Sequence, residues 1–153
     1  MTEPIPTELA GDDDARQGIA HLRADWNAAL QASDVDRLLE LVTDDVVFLP
    51  PGTPALHGKP AVEALYQSLF SLYRIEQEAS SDELIVAGDW AVDIGHETTR
   101  IVPLAEGEPV TLQGKGVAVL RRGSDGHWRF ARAINNLDAP LGAQPAADEL
   151  DER

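Results

Sequence analysis

The chain has 153 residues, enough for one domain with one sizeable core, and its 43% hydrophobic and 25% charged content is that of an ordinary soluble globular protein. No apolar run reaches the roughly 18 residues of a membrane span, and the absence of cysteine excludes disulfides, thiolate metal sites and cysteine nucleophiles. A net charge of −15 makes nucleic acid and anionic membrane surfaces poor partners, because both select a basic footprint.

Much of that charge lies at the ends. Residues 1–14 carry a net −5 and residues 138–153 a net −4, and both stretches are seeded with proline. They read as solvated acidic tails, 1–13 and 139–153, around one folded domain at 14–138. The first residues, Met1-Thr2-Glu3-Pro4, show no basic, apolar leader pattern, which predicts a cytoplasmic location.

Asp12-Asp13-Asp14 predicts the cap of a first helix over about 14–31, with an apolar face of Ile19, Leu22, Trp26 and Leu30. Ser33-Asp34 restarts a short second helix, 34–42, through Val35, Leu38, Leu39 and Val42. Val46-Val47-Phe48-Leu49 is a short apolar strand. Pro50, Pro51 and Pro54 make the next stretch loop, and Gly58-Lys59-Pro60 opens a third helix, 59–73, with stripe Val62, Leu65, Tyr66, Leu69 and Tyr73. From there the period changes to alternation in four strands, about 75–87, 90–104, 110–122 and 127–137, separated by short turns such as Gly88-Asp89. Short connections make neighbours antiparallel. The expectation is an α+β fold, ordered α-α-β-α-β-β-β-β, with three helices packed on one curved antiparallel sheet and Trp26, Phe48, Leu65 and Leu69 buried together.

Phosphate-cradle, zincin and nucleophile-elbow motifs are absent, and His21, His57, His96 and His127 are scattered over different elements. Neither a metal site nor a cofactor is therefore assigned.

The stretch Trp26-Asn27-Ala28-Ala29-Leu30-Gln31-Ala32-Ser33-Asp34 resembles the first helix of the NTF2-like superfamily running into its second. Thr43-Asp44-Asp45-Val46-Val47-Phe48-Leu49-Pro50-Pro51-Gly52, followed by His57-Gly58-Lys59-Pro60, is similar to that superfamily's strand, loop and third helix. Gly126-His127-Trp128-Arg129-Phe130-Ala131-Arg132 through Asn136 is similar to the last strand of its SnoaL-like, DUF4440 branch. The resemblance covers about residues 14–138. It implies a cone-shaped, ketosteroid isomerase-like fold whose helices close over a pocket. It does not carry over the steroid isomerase's catalytic groups: Trp26 stands where the oxyanion tyrosine would be, Leu49 or Pro50 where the base would be, and Val117 or Ala118 where the second acid would be. Tyr66 matches the supporting tyrosine of the third helix.

On that alignment, alternation gives the pocket face as Trp90, Val92, Ile94, His96 and Thr98, then Leu112, Gly114, Gly116, Ala118 and Leu120, then Ala131, Ala133 and Asn135. The small residues leave volume for a small apolar organic ligand bounded by Trp26, Phe48, Tyr66, Val92, Ile94, Ala118, Ala133 and Asn135. Two functions follow. One is a small-molecule-binding protein, an accessory protein beside a biosynthetic pathway. The other is a cofactor-independent isomerase, cyclase or dehydratase that uses His96 as acid/base on a small carbonyl, hydroxyl or epoxide substrate. A paired-carboxylate site at Asp93 and Glu97 would need the opposite face of the strand. Trp128, Phe130, Ile134, Val117 and Val119 are expected on the sheet's outer face, where large apolar side chains predict a homodimer.

Overall fold

Each helix forms where an apolar stripe and a start signal coincide. The computed structural model describes residues 10–138, so the acidic ends 1–9 and 139–153 lie outside the described residues. Helix α1 (Ala10–Gln31) starts before the expected residue 14 and takes Asp12 and Asp13 into its first turn, where the helix dipole favours acids. Its stripe of Ile19, Leu22, Trp26 and Leu30 is buried, with Ala15 and Ala29 beside it. Ser33, at φ 54°, breaks the helix. Asp34 then caps α2 (Val35–Glu40), its carboxylate accepting from the Arg37 amide at 3.0 Å. Gly58 and Pro60 start α3 (Lys59–Leu72), which fully buries only Val62. Leu65 and Leu69, expected in the core with Trp26 and Phe48, are half-buried because a cavity lies beneath them.

The strands are β1 (Val42–Leu49), β2 (Leu56–His57), β3 (Tyr73–Ala87), β4 (Trp90–Pro103), β5 (Val110–Arg122) and β6 (Trp128–Leu137). They form one six-stranded sheet in the order β2-β1-β6-β5-β4-β3. The fold is α+β, three helices with a mixed sheet, and differs from the expectation in three respects. The sheet is open, with β2 and β3 at its edges, instead of curling strongly into a cone. A two-residue strand, β2, pairs with β1 inside the stretch read as loop, just beyond its last proline. Strand β1 lies parallel to β6, Phe48 opposite Ala133 and Leu49 opposite Ile134. Tight turns force β3 to β6 into an antiparallel meander, whereas α3 and the whole meander separate β1 from β6 and leave its direction free.

Two expected faces are also corrected. Trp128 and Phe130 are buried on the helix side, not outside. The register passes from Val119 opposite Arg132 to Leu120 opposite Phe130, so Ala131 is the extra residue of a bulge and the alternation changes phase there. In β4 the helix side is Ala91, Asp93, Gly95 and Glu97, paired with Leu120, Ala118, Gly116 and Gly114. Val92, Ile94 and His96 consequently belong to the outer face. The physical reason is that both faces of this sheet carry apolar residues, so hydrophobicity alone does not tell inside from outside.

At the centre of the inner face Gly95 stands opposite Gly116. A Cβ on Gly116 would come within 2.3 Å of the Ile134 carbonyl oxygen, and one on Gly95 within 2.4 Å of that of Ser80. Neither contact can relax by a rotamer change, because each is with backbone. Gly116→Ala is expected to destabilise the fold by about 1–3 kcal/mol, the range of an overpacked core, measured as a shift in the urea midpoint at unchanged slope.

Candidate active site and ligand cavity

A cavity of about 640 Å³ lies between α1, α3 and the inner face of β3 to β6. Its floor includes Gly95, Gly114, Gly116 and Ala118, whose missing or short side chains leave the space. Its aromatic wall centres on Trp26, which meets Phe48, Tyr66 and Phe130 edge-to-face at centroid distances of 5.9, 5.8 and 5.1 Å. Such contacts suit the ring quadrupoles and fix the indole from three sides.

Two carboxylates line the cavity, both on the inner row of β4. Asp93 is buried, its side chain 0% exposed. Arg23 of α1 donates to Oδ2 through Nε at 2.6 Å and also contacts it through Nη2, and Ser81 Oγ donates to the same oxygen at 3.1 Å. Oδ1 has no partner among the described residues. Four residues along, about 13 Å at the rise of a strand, stands Glu97. Its Oε1 accepts from Asn135 Nδ2 at 3.0 Å and its Oε2 from Gln77 Nε2 at 3.4 Å, and Gln77 also donates to Thr99 Oγ1 at 3.1 Å. Burial, and then the charge of Glu97, push the Tyr66 phenol above its ordinary value, so this hydroxyl keeps its proton. No described side chain hydrogen-bonds it.

Of the residues expected here, Trp26, Phe48, Tyr66, Ala118, Ala133 and Asn135 do line the cavity. Val92 and Ile94 do not. His96 borders it, but its ring leaves on the outer side: Nδ1 lies 2.8 Å from Asp82 Oδ1 and the side chain is 58% exposed. Asn135 therefore meets Glu97 instead of His96. Arg23 and Gln77 were missed, and Asp93 and Glu97, expected on the face away from the cavity, line it instead. One signal pointed to them: the small residues Ala91 and Gly95 alternate with Asp93 and Glu97, and belong beside the small row Gly114, Gly116 and Ala118. Among the described residues no three His, Asp or Glu side chains converge as metal ligands, and no helix is long and apolar enough to cross a membrane.

Residues 23–131 match the SnoaL-like domain family. Among solved structures the chain is similar to a conserved protein from Planctomyces limnophilus DSM 3776, with 27% identity, a TM-score of 0.76 and coverage of 82% of this chain and 98% of that one. It is also similar to a ketosteroid isomerase-like protein from Erwinia carotovora atroseptica SCRI1043, with 23% identity, a TM-score of 0.72 and coverage of 81% and 96%. A hexachlorocyclohexane dehydrochlorinase, LinA Type2, is 18% identical, with a TM-score of 0.72 and coverage of 86% and 91%. The last two, below 25%, share the fold alone. No curated protein matches the chain in sequence.

A buried carboxylate that loses its only cation is left with an uncompensated charge. Arg23→Met is expected to cost about 3–5 kcal/mol in chemical denaturation, and adding Asp93→Asn to recover part of that loss, since the amide needs no counter-charge.

Proposed function

We propose a function from one premise, that the chain belongs to the SnoaL-like domain family: it is a small-molecule-binding protein, acting as an accessory protein of a biosynthetic pathway. The observation that carries this reading is the cavity of about 640 Å³, aromatic on one wall and floored by glycine and alanine. That volume is in the range that encloses small organic ligands, and the few polar groups are of the number that orients one. Ligand oxygens have donors in Tyr66 and Arg23, and ligand donors have an acceptor in Glu97.

A second reading is a cofactor-independent isomerase, cyclase or dehydratase. It is favoured by Glu97, a carboxylate on the cavity wall close enough to raise the Tyr66 phenol. With the His96 ring on the outer side, Glu97 takes the acid/base role assigned to the histidine, and Tyr66 supplies a neutral donor to a carbonyl or hydroxyl oxygen.

A second copy of the chain on the outer sheet face is also part of the proposal. Ile85, Trp90, Ile94, Val117 and Ile134 are exposed there. Trp128 and Phe130 have left this face for the core, but Ile85, Trp90 and Ile94 replace them.

The neutral probe 4-phenylbutan-1-ol is expected to bind one per chain by isothermal calorimetry, and Ala118→Phe, which fills the floor, to weaken it at least about tenfold. Failure of the probe, or of any retained compound in native mass spectrometry, to occupy the wild-type cavity would count against the binding reading. Light scattering at micromolar concentration is expected to give twice the chain mass, falling to a monomer in Val117→Glu.

A further inference from the structure

Three charged side chains face the cavity: Arg23, Asp93 and Glu97. The first two cancel in their ion pair. Glu97 holds only the amides of Asn135 and Gln77, and among the described residues no lysine, arginine or histidine nitrogen lies within ion-pair distance of it. The cations on the surrounding strands are engaged elsewhere, Arg100 with Glu76, Lys115 with Asp138, and Arg132 with the Asp45 carbonyl. The interior of the cavity therefore carries one net negative charge.

The half-buried Glu97 is solvated while the cavity is wet. A ligand that fills the cavity removes that water. A neutral ligand then strands a carboxylate in an apolar space, whereas a cation restores its counter-charge.

Resting on the small-molecule reading above, we infer that the cavity selects organic amines: an ammonium group on the Glu97 carboxylate, and an apolar body lying over Gly95 and Gly116 towards Trp26. The row of about 13 Å between Asp93 and Glu97 has room for a body the length of a phenylbutyl chain. An ammonium is a strong donor with no acceptor, which fits a carboxylate whose described partners are two neutral amides.

The test is calorimetry at physiological ionic strength with 4-phenylbutylamine, 4-phenylbutan-1-ol and 4-phenylbutyrate. The amine is expected to bind at least about tenfold more tightly than the alcohol, with the carboxylate weakest. In Glu97→Gln, whose amide still pairs with Asn135 and whose remaining acidic surface is unchanged, the amine's advantage should fall to about twofold or less. An alcohol that binds as well as the amine to the wild type overturns the inference and leaves the cavity reading standing. So does an amine preference that survives in the variant. If none of the three probes binds the wild type, the small-molecule reading fails and the inference with it. The wild-type comparison decides the matter even if the variant does not fold.

Discussion

The fold is organised around one buried charge. Asp93 is the charged residue that the described core encloses, and a carboxylate withdrawn from water must be met by a cation. Arg23 meets it from α1, which ties the helix to the inner face of β4. Trp26 is one helical turn further along, on the same side, and so arrives where Phe48, Tyr66 and Phe130 converge. Once Asp93 points in, Gly95 and Glu97 follow by alternation, and Val92, Ile94 and His96 face out. The glycine floor, the Glu97 carboxylate and the apolar outer row share the strand phase in which this ion pair is made.

The cavity itself results from packing that was not completed. Val62 is the one residue of α3 fully buried; Tyr66 packs on Trp26, while Leu65 and Leu69 overhang the cavity instead of closing on the sheet. Larger residues at positions 95 and 116 would fill that space, but the neighbouring carbonyls leave no room for even a Cβ. Local stability across the molecule is thus uneven: α1 is anchored by a full stripe and a buried ion pair, α3 by a single valine and its half-buried neighbours.

The helices were legible in the sequence because their stripes repeat at three and four residues and their starts carry Asp34 or Gly58-Lys59-Pro60. The meander was legible because its turns are short. What escaped was phase. Strand β4 has apolar residues on one face and small residues with acids on the other, and a soluble sheet ordinarily buries the apolar set. Here the outer face is apolar as well, so hydrophobicity agreed with the phase taken from the family resemblance, which placed His96 in the site instead of Glu97. The aromatic half of the site, Trp26, Phe48 and Tyr66, came from helices and a short strand whose orientation was not in question. Its ionic half depended on the one strand whose orientation was. The parallel pairing of β1 was hidden for another reason: a partner almost ninety residues away leaves no local trace.

The bulge at Ala131 has a consequence at the level of the gene. Trp128 and Phe130 on one side of it, and Ala133 and Asn135 on the other, share the inner face only because one residue is supernumerary. Loss of that single codon would restore strict alternation and turn one of the two pairs outward: either two aromatics would leave the core, or the amide that holds Glu97 would leave the cavity. At this point in the chain the spacing matters as much as any side chain, and an in-frame deletion is expected to do more harm here than most substitutions.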